Sequence, residues 1–95
     1  MAVERQAYLV KTDGTIHLQR PLNGKKFSLE EAQELVGGYV QLVKIRPALI
    51  AIMDEEGRIK RLPENPEASR ILKQESGMDW GTLRGPVLIC HHHMF

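Results

Sequence analysis

The residues best suited to chemistry lie in one stretch, RIKRLPENPEASRIL, residues 58–72. Arg58, Lys60 and Arg61 put three cations just ahead of Asn65 and Pro66. Asn65 can N-cap a helix whose first residue is Pro66, the position where proline is best tolerated. A helix start offers free backbone N–H groups and a partial positive charge. Read as a strand, 58–62 places Arg58 and Lys60 on the same face, since side chains alternate. Cations beside a helix start can hold a phosphate, with Asn65 either capping the helix or hydrogen-bonding a base or ribose. The plainer reading of the same residues is an edge strand whose charges guard against aggregation. Arg58, Lys60, Arg61 and Asn65 are therefore the candidate ligand-binding residues.

Other reactive residue types make weaker patterns. His91, His92 and His93 are contiguous. In an extended run their side chains alternate, so neighbours do not converge on one ion. Cys90 and His92 can share a face, but two ligands fall short of the four of a structural zinc site. The expectation is a polar tail over 91–95 and no metal site. Cys90 ends an apolar strand and reads as a small buried hydrophobe, since no acid is available to orient a histidine base. His17 stands alone on a strand and reads as an exposed sheet residue. Glu30, Glu31 and Glu34, and the Asp54–Glu56 cluster, follow neither a calcium-loop nor a paired-carboxylate pattern. Gly37-Gly38 follows a helix, whereas a phosphate-binding loop precedes one. No catalytic residues and no cofactor are predicted.

Positioning these side chains falls to a chain of 95 residues, short enough for one domain over 1–95 with a single modest core. The hydrophobic share of 42% and charged share of 26% are ordinary for a folded protein. A net charge of +1 argues against a nucleic-acid partner. One cysteine permits no internal disulfide and fits a reducing, cytoplasmic setting. The opening MAVERQAYLV carries charges where a signal peptide has an apolar core. The longest apolar run, Ala48 to Met53, is far too short to cross a membrane.

The elements follow from pattern. QAYLVKT and TIHLQ flank Asp13-Gly14, a hairpin signal for a type I′ turn. Ser28 and Glu31 form a capping box, with Phe27 able to staple onto Ala32. Leu29, Ala32, Leu35 and Val36 make one helical face, and Gly37-Gly38 ends it. YVQLVKI (39–45), ALIAIM (48–53) and RIKRL (58–62) read as strands, ALIAIM being central. Ala68, Ile71 and Leu72 form the buried stripe of a second helix ending near Gly77. Residues 79–85 read as a loop anchored by Trp80, and PVLIC (86–90) as a last strand. The order is ββαβββαβ: an α+β domain with a mainly antiparallel sheet of five to six strands and two helices, which could pack on one face of it or cover both.

YLVKTDGTI, FSLEEAQELVGGYVQLV, LIAIMDEEGRIKRLPENPEA and GPVLIC together resemble, over about residues 8–90, the domain of unknown function 3846 family. Leu62, Pro63 and Asn65 match its most recognisable motif, and Gly37, Gly38 and Tyr39 the next. HHHMF has no counterpart, and 73–85 matches loosely. The resemblance implies small proteins of phages, plasmids and their bacterial hosts without recognised catalytic residues. By analogy with phage counter-defence proteins, it suggests a cytoplasmic, non-enzymatic binder that sequesters a phosphorylated cyclic nucleotide, acting as an oligomer. The alternative is a module that binds a host protein through a sheet edge or the Trp80 loop.

Overall fold

In the hairpin, β1 (Ala7–Val10) pairs antiparallel with β2 (Ile16–Gln19), Val10 facing Ile16. The computed structural model describes residues 6–95, so the charges of Glu4 and Arg5 that argue against a signal peptide lie outside the described residues. The turn is not type I′. Gly14 takes φ +90°, but Asp13 does not reach positive φ. Gly14 N–H bonds Lys11 O at 3.0 Å, and Lys11 N–H bonds Thr15 O at 2.9 Å. That is a type I turn closed by a left-handed glycine. Asp13 Oδ1 accepts the Thr15 N–H at 2.9 Å, which rewards its aspartate without a left-handed conformation.

Helix α1 (Leu29–Val36) has the full capping box, with Glu31 N–H to Ser28 Oγ and Ser28 N–H to Glu31 Oε1, and ends on a left-handed Gly37. Strands β3 (Val40–Arg46) and β4 (Leu49–Asp54) follow, and every residue of β4 is buried. Helix α2 (Pro66–Ser76) starts from Asn65 and stops at Gly77. Strand β5 (Val87–His91) closes the sheet in the order β2-β1-β5-β4-β3, all antiparallel. The domain is α+β, with five strands and two helices. β4 is interior, flanked by β5 and β3, while β5 holds the centre.

The helices do not share one face. Ala7, Leu9, Ile50, Ile52, Leu88 and Cys90 pack against Ala32 and Val36 of α1. Their alternate neighbours Val10, Leu49, Ala51, Met53, Val87 and Ile89 pack against Ala68 and Leu72 of α2. Strands buried on both faces must be apolar at successive positions, which is why LIAIM and VLIC run without alternation. Leu29, predicted on the buried face of α1, is 54% exposed.

Two further expectations fail. Residues 58–62 are no strand. Lys60 N–H bonds Glu56 O, Leu62 N–H bonds Gly57 O and Arg61 N–H bonds Arg58 O, so 56–62 coils into helical turns. Ile59, which alternation would bury, is 82% exposed. The 91–95 segment is no loose tail either. His91 pairs with Leu49 in the sheet, and α3, a single 3₁₀ turn over His92–Met94, carries Met94 into the α1-side core.

Candidate functional site

Asn65 organises the site without being free to bind. It is fully buried. Its Oδ1 accepts the Ala68 N–H at 3.1 Å, capping α2. Its Nδ2 donates to Val10 O at 2.9 Å and to Gly85 O at 2.8 Å. Its backbone N–H bonds Leu83 O at 2.8 Å. One side chain thus ties the end of β1, the 83–85 segment and the start of α2. Only an amide offers an acceptor for the cap and two donors for the carbonyls. Gly85 takes φ +82°, and a Cβ there would sit 2.7 Å from Leu62 Cδ1, so the Leu-Pro-x-Asn segment packs against a position that needs glycine.

The cations divide. Lys60 turns inward: its Nζ lies 2.7 Å from Asp54 Oδ2 and 3.3 Å from Gly37 O. The Asp54 side chain is wholly buried. Burial pushes its pKa up. The Lys60 hydrogen bond, the Glu56 N–H at 2.8 Å and the Lys60 charge together outweigh that and hold it below the ordinary carboxylate value. Gly38 lies against this pair, and a Cβ there would run into Lys60 Nζ and sit 2.9 Å from Asp54 Oδ2. The second glycine of Gly37-Gly38 therefore makes room for the ion pair. The pair pins the 56–62 coil to the end of β4.

Arg58 and Arg61 turn outward, and neither has a side-chain hydrogen bond or ion pair among the described residues. They converge with Thr82 and Arg84 on one recess. Arg58, Thr82 and Arg84 also line an adjoining cleft of about 450 Å³ together with Trp80, Met53 and Val43. The indole is fixed by Nε1–H to Ser76 Oγ at 2.8 Å. Arg84 is oriented by Nη1–H to Leu62 O at 3.0 Å, with Glu64 at 3.8 Å from its Nη2. Glu55 also lines the cleft, so the cationic character sits at the Arg61 end. The result is an amphipathic groove lined by guanidinium forks, an indole and apolar side chains. Forks of this kind match phosphate or carboxylate oxygens in pairs.

Of the predicted residues, Arg58 and Arg61 meet in the recess, Lys60 is held by Asp54, and Asn65 is locked in backbone contacts. Arg84 and Thr82 had no sequence signal, because their place depends on the 83–85 segment folding back onto Asn65. Cys90 is buried in the α1-side core, and burial pushes its thiol up to about 12. His17 is exposed, with Thr15 Oγ1 at 3.0 Å from its Nε2. The three terminal histidines converge after all, their ring centroids 4.0–4.8 Å apart. The charge of His92, then partial desolvation, then His91 and Lys26 hold His93 below the ordinary imidazole value.

Among the described residues, no helix is long and apolar enough to cross a membrane. The model of the family described as Domain of unknown function (DUF3846) matches residues 5–94. No curated protein and no solved structure matches the chain significantly.

Proposed function

The chain belongs to the Domain of unknown function (DUF3846) family, and on that premise we propose that it is a non-enzymatic binding protein for a small phosphorylated ligand. The convergence of Arg58, Arg61 and Arg84 beside Thr82 carries the reading. Two of these guanidinium groups, those of Arg58 and Arg61, have no partner among the described residues, while Lys60 and Asp54 nearby are paired with each other. Phosphate oxygens would take the arginine end of the groove. A flat heterocycle would take the wall formed by Trp80 and Met53, since stacking on an aromatic tolerates any base. A cyclic nucleotide has both parts, and a counter-defence protein that sequesters such a signal in a bacterial cytoplasm is the most concrete form of the proposal. Asn65 and Lys60 then serve by holding the frame that presents Arg58 and Arg61.

Thermal-shift measurement against a panel of cyclic mono- and dinucleotides tests it. A ligand at a hundred times its Kd adds about 2.7 kcal/mol to stability, which raises the Tm by several degrees. A rise with at least one nucleotide, lost in Arg58→Gln/Arg61→Gln, supports the reading. No shift with any member at saturating concentration contradicts it.

A second reading is favoured by the outer strands. β2 and β3 are the two edges of the sheet, and they or their flanks expose Ile16, Leu18, Tyr39 and Leu42. Exposed apolar edge residues suit strand addition by a host protein. Stoichiometric recovery of one protein from host lysate, lost when Leu42 is changed to Lys, supports this alternative over the first.

A further inference from the structure

The chain's second concentration of ligating side chains shares no residue with the arginine recess and is chemically distinct from it. His91, His92 and His93 each offer a nitrogen, and these atoms all lie within 4.8 Å of one another. Contiguous histidines in a strand would point apart. Here β5 ends at His91 and the chain enters a 3₁₀ turn at once, folding the next two imidazoles back beside the first.

The turn is anchored at both ends. His91 is paired to Leu49 in the sheet. His92 N–H bonds Ala48 O at 3.0 Å, and Met94 O accepts the Phe27 N–H at 2.7 Å. Met94 itself is 7% exposed within the α1-side core. The backbone that carries the imidazoles is therefore held by β4, the α1 entry and the core, and ordering it costs little on binding. His91 Nδ1 accepts the His93 N–H at 3.2 Å, which fixes that ring and leaves Nε2 as its outward nitrogen. A proton acceptor of this kind in the outer shell is not required of His92 and His93, which are exposed and can rotate.

We propose that His91, His92 and His93 form a three-imidazole site for a borderline divalent transition metal, zinc being the reference ion. Nitrogen donors at about 2.0–2.1 Å from a tetrahedral zinc stand about 3.3 Å apart, so the present spacing closes by side-chain rotation alone. Three neutral donors and no carboxylate select zinc, nickel or copper over calcium and magnesium, which require oxygen ligands. The Lys26 ammonium acts on His93 and opposes a cation at the cluster. Three protein ligands also leave a coordination position open to water or to an anion.

The test titrates the full chain, free of any affinity tag, with zinc chloride by calorimetry, followed by NMR of the imidazole protons. The site predicts one ion per chain, with shifts at His91, His92 and His93 but none at His17. His92→Gln/His93→Gln changes two exposed residues, so its Tm should match the wild type while its zinc affinity falls by about tenfold or more. Several outcomes overturn the proposal: no saturable uptake, one ion per two chains, unchanged affinity in the double variant, or calcium binding as tightly as zinc.

Discussion

Asn65 and the recess arginines Arg58 and Arg61 lie within seven residues of one another in sequence and treat their polar groups in opposite ways. Every polar atom of Asn65's side chain is bonded to backbone, and the residue is wholly buried. Arg58 and Arg61 stand exposed with no internal partner among the described residues. The same short segment thus carries a structural knot and a set of uncommitted cations. A sequence motif around Leu62, Pro63 and Asn65 reports the knot, because backbone carbonyls dictate the amide. The proposed binding would fall instead to Arg58 and Arg61, whose charges have no partner among the described residues.

The contrast can be broken most severely at the knot. Asn65→Ala removes the cap of α2 and strips the donors from Val10 O and Gly85 O, so a loss of about 3–4 kcal/mol is expected from urea unfolding. Asn65→Asp should be no milder, since it sets a carboxylate oxygen against those carbonyls. Stability unchanged in both variants would show that the contacts are incidental.

Next in size is the ion pair. Lys60→Met leaves the Asp54 carboxylate buried without its partner, at an expected cost of about 2–3 kcal/mol, less than for a wholly buried pair because the Lys60 side chain is 35% exposed. The pH dependence has a fixed sign. Asp54 has a folded pKa below its unfolded value, so its contribution is full above about 3.8 and is lost as pH falls through the folded pKa. Asp54→Asn should flatten the stability profile in that acid window, and a profile still as steep as the wild type's would contradict the assignment.

Cys90 gives a purely kinetic contrast. A thiol pushed up to about 12 inside the core should ignore a disulfide reagent at pH 8 in the native state and react at once in denaturant. Rapid native reaction would mean the α1-side core opens. The smallest stability effect belongs to the recess: Arg58→Gln and Arg61→Gln should each change unfolding free energy by less than about 0.5 kcal/mol, because both side chains are exposed and make no hydrogen bond or ion pair among the described residues.

Much of the frame was legible in the residues. Ser28 with Glu31, Asn65 with Pro66, and the glycines at 37 and 77 mark both helices to the residue, because caps are local chemistry. The apolar runs of β4 and β5 also stand where their composition put them. RIKRL failed for a physical reason. Five residues of alternating polarity satisfy a strand and a coiled turn alike, and the Lys60 contacts that hold the coil, to Asp54 and Gly37, lie outside those five residues. Helix placement was open for a similar reason, since an apolar strand does not say which face each helix covers. Arg84 joined the site only through long-range closure onto Asn65, which no spacing along the chain encodes. The histidine cluster escaped because the alternation rule presumes that the strand continues, and it ends at His91.

The central claim is that the recess binds while Asn65 holds the fold, and one paired measurement addresses it directly. Calorimetric titration of the cyclic nucleotide that gives the largest thermal shift is run on the wild type and on Arg58→Gln/Arg61→Gln, with unfolding curves taken on the same samples. The account predicts unchanged unfolding midpoints and affinity lost by about a hundredfold, two guanidinium–phosphate contacts having been removed. Equal affinity in a variant that remains folded would contradict it.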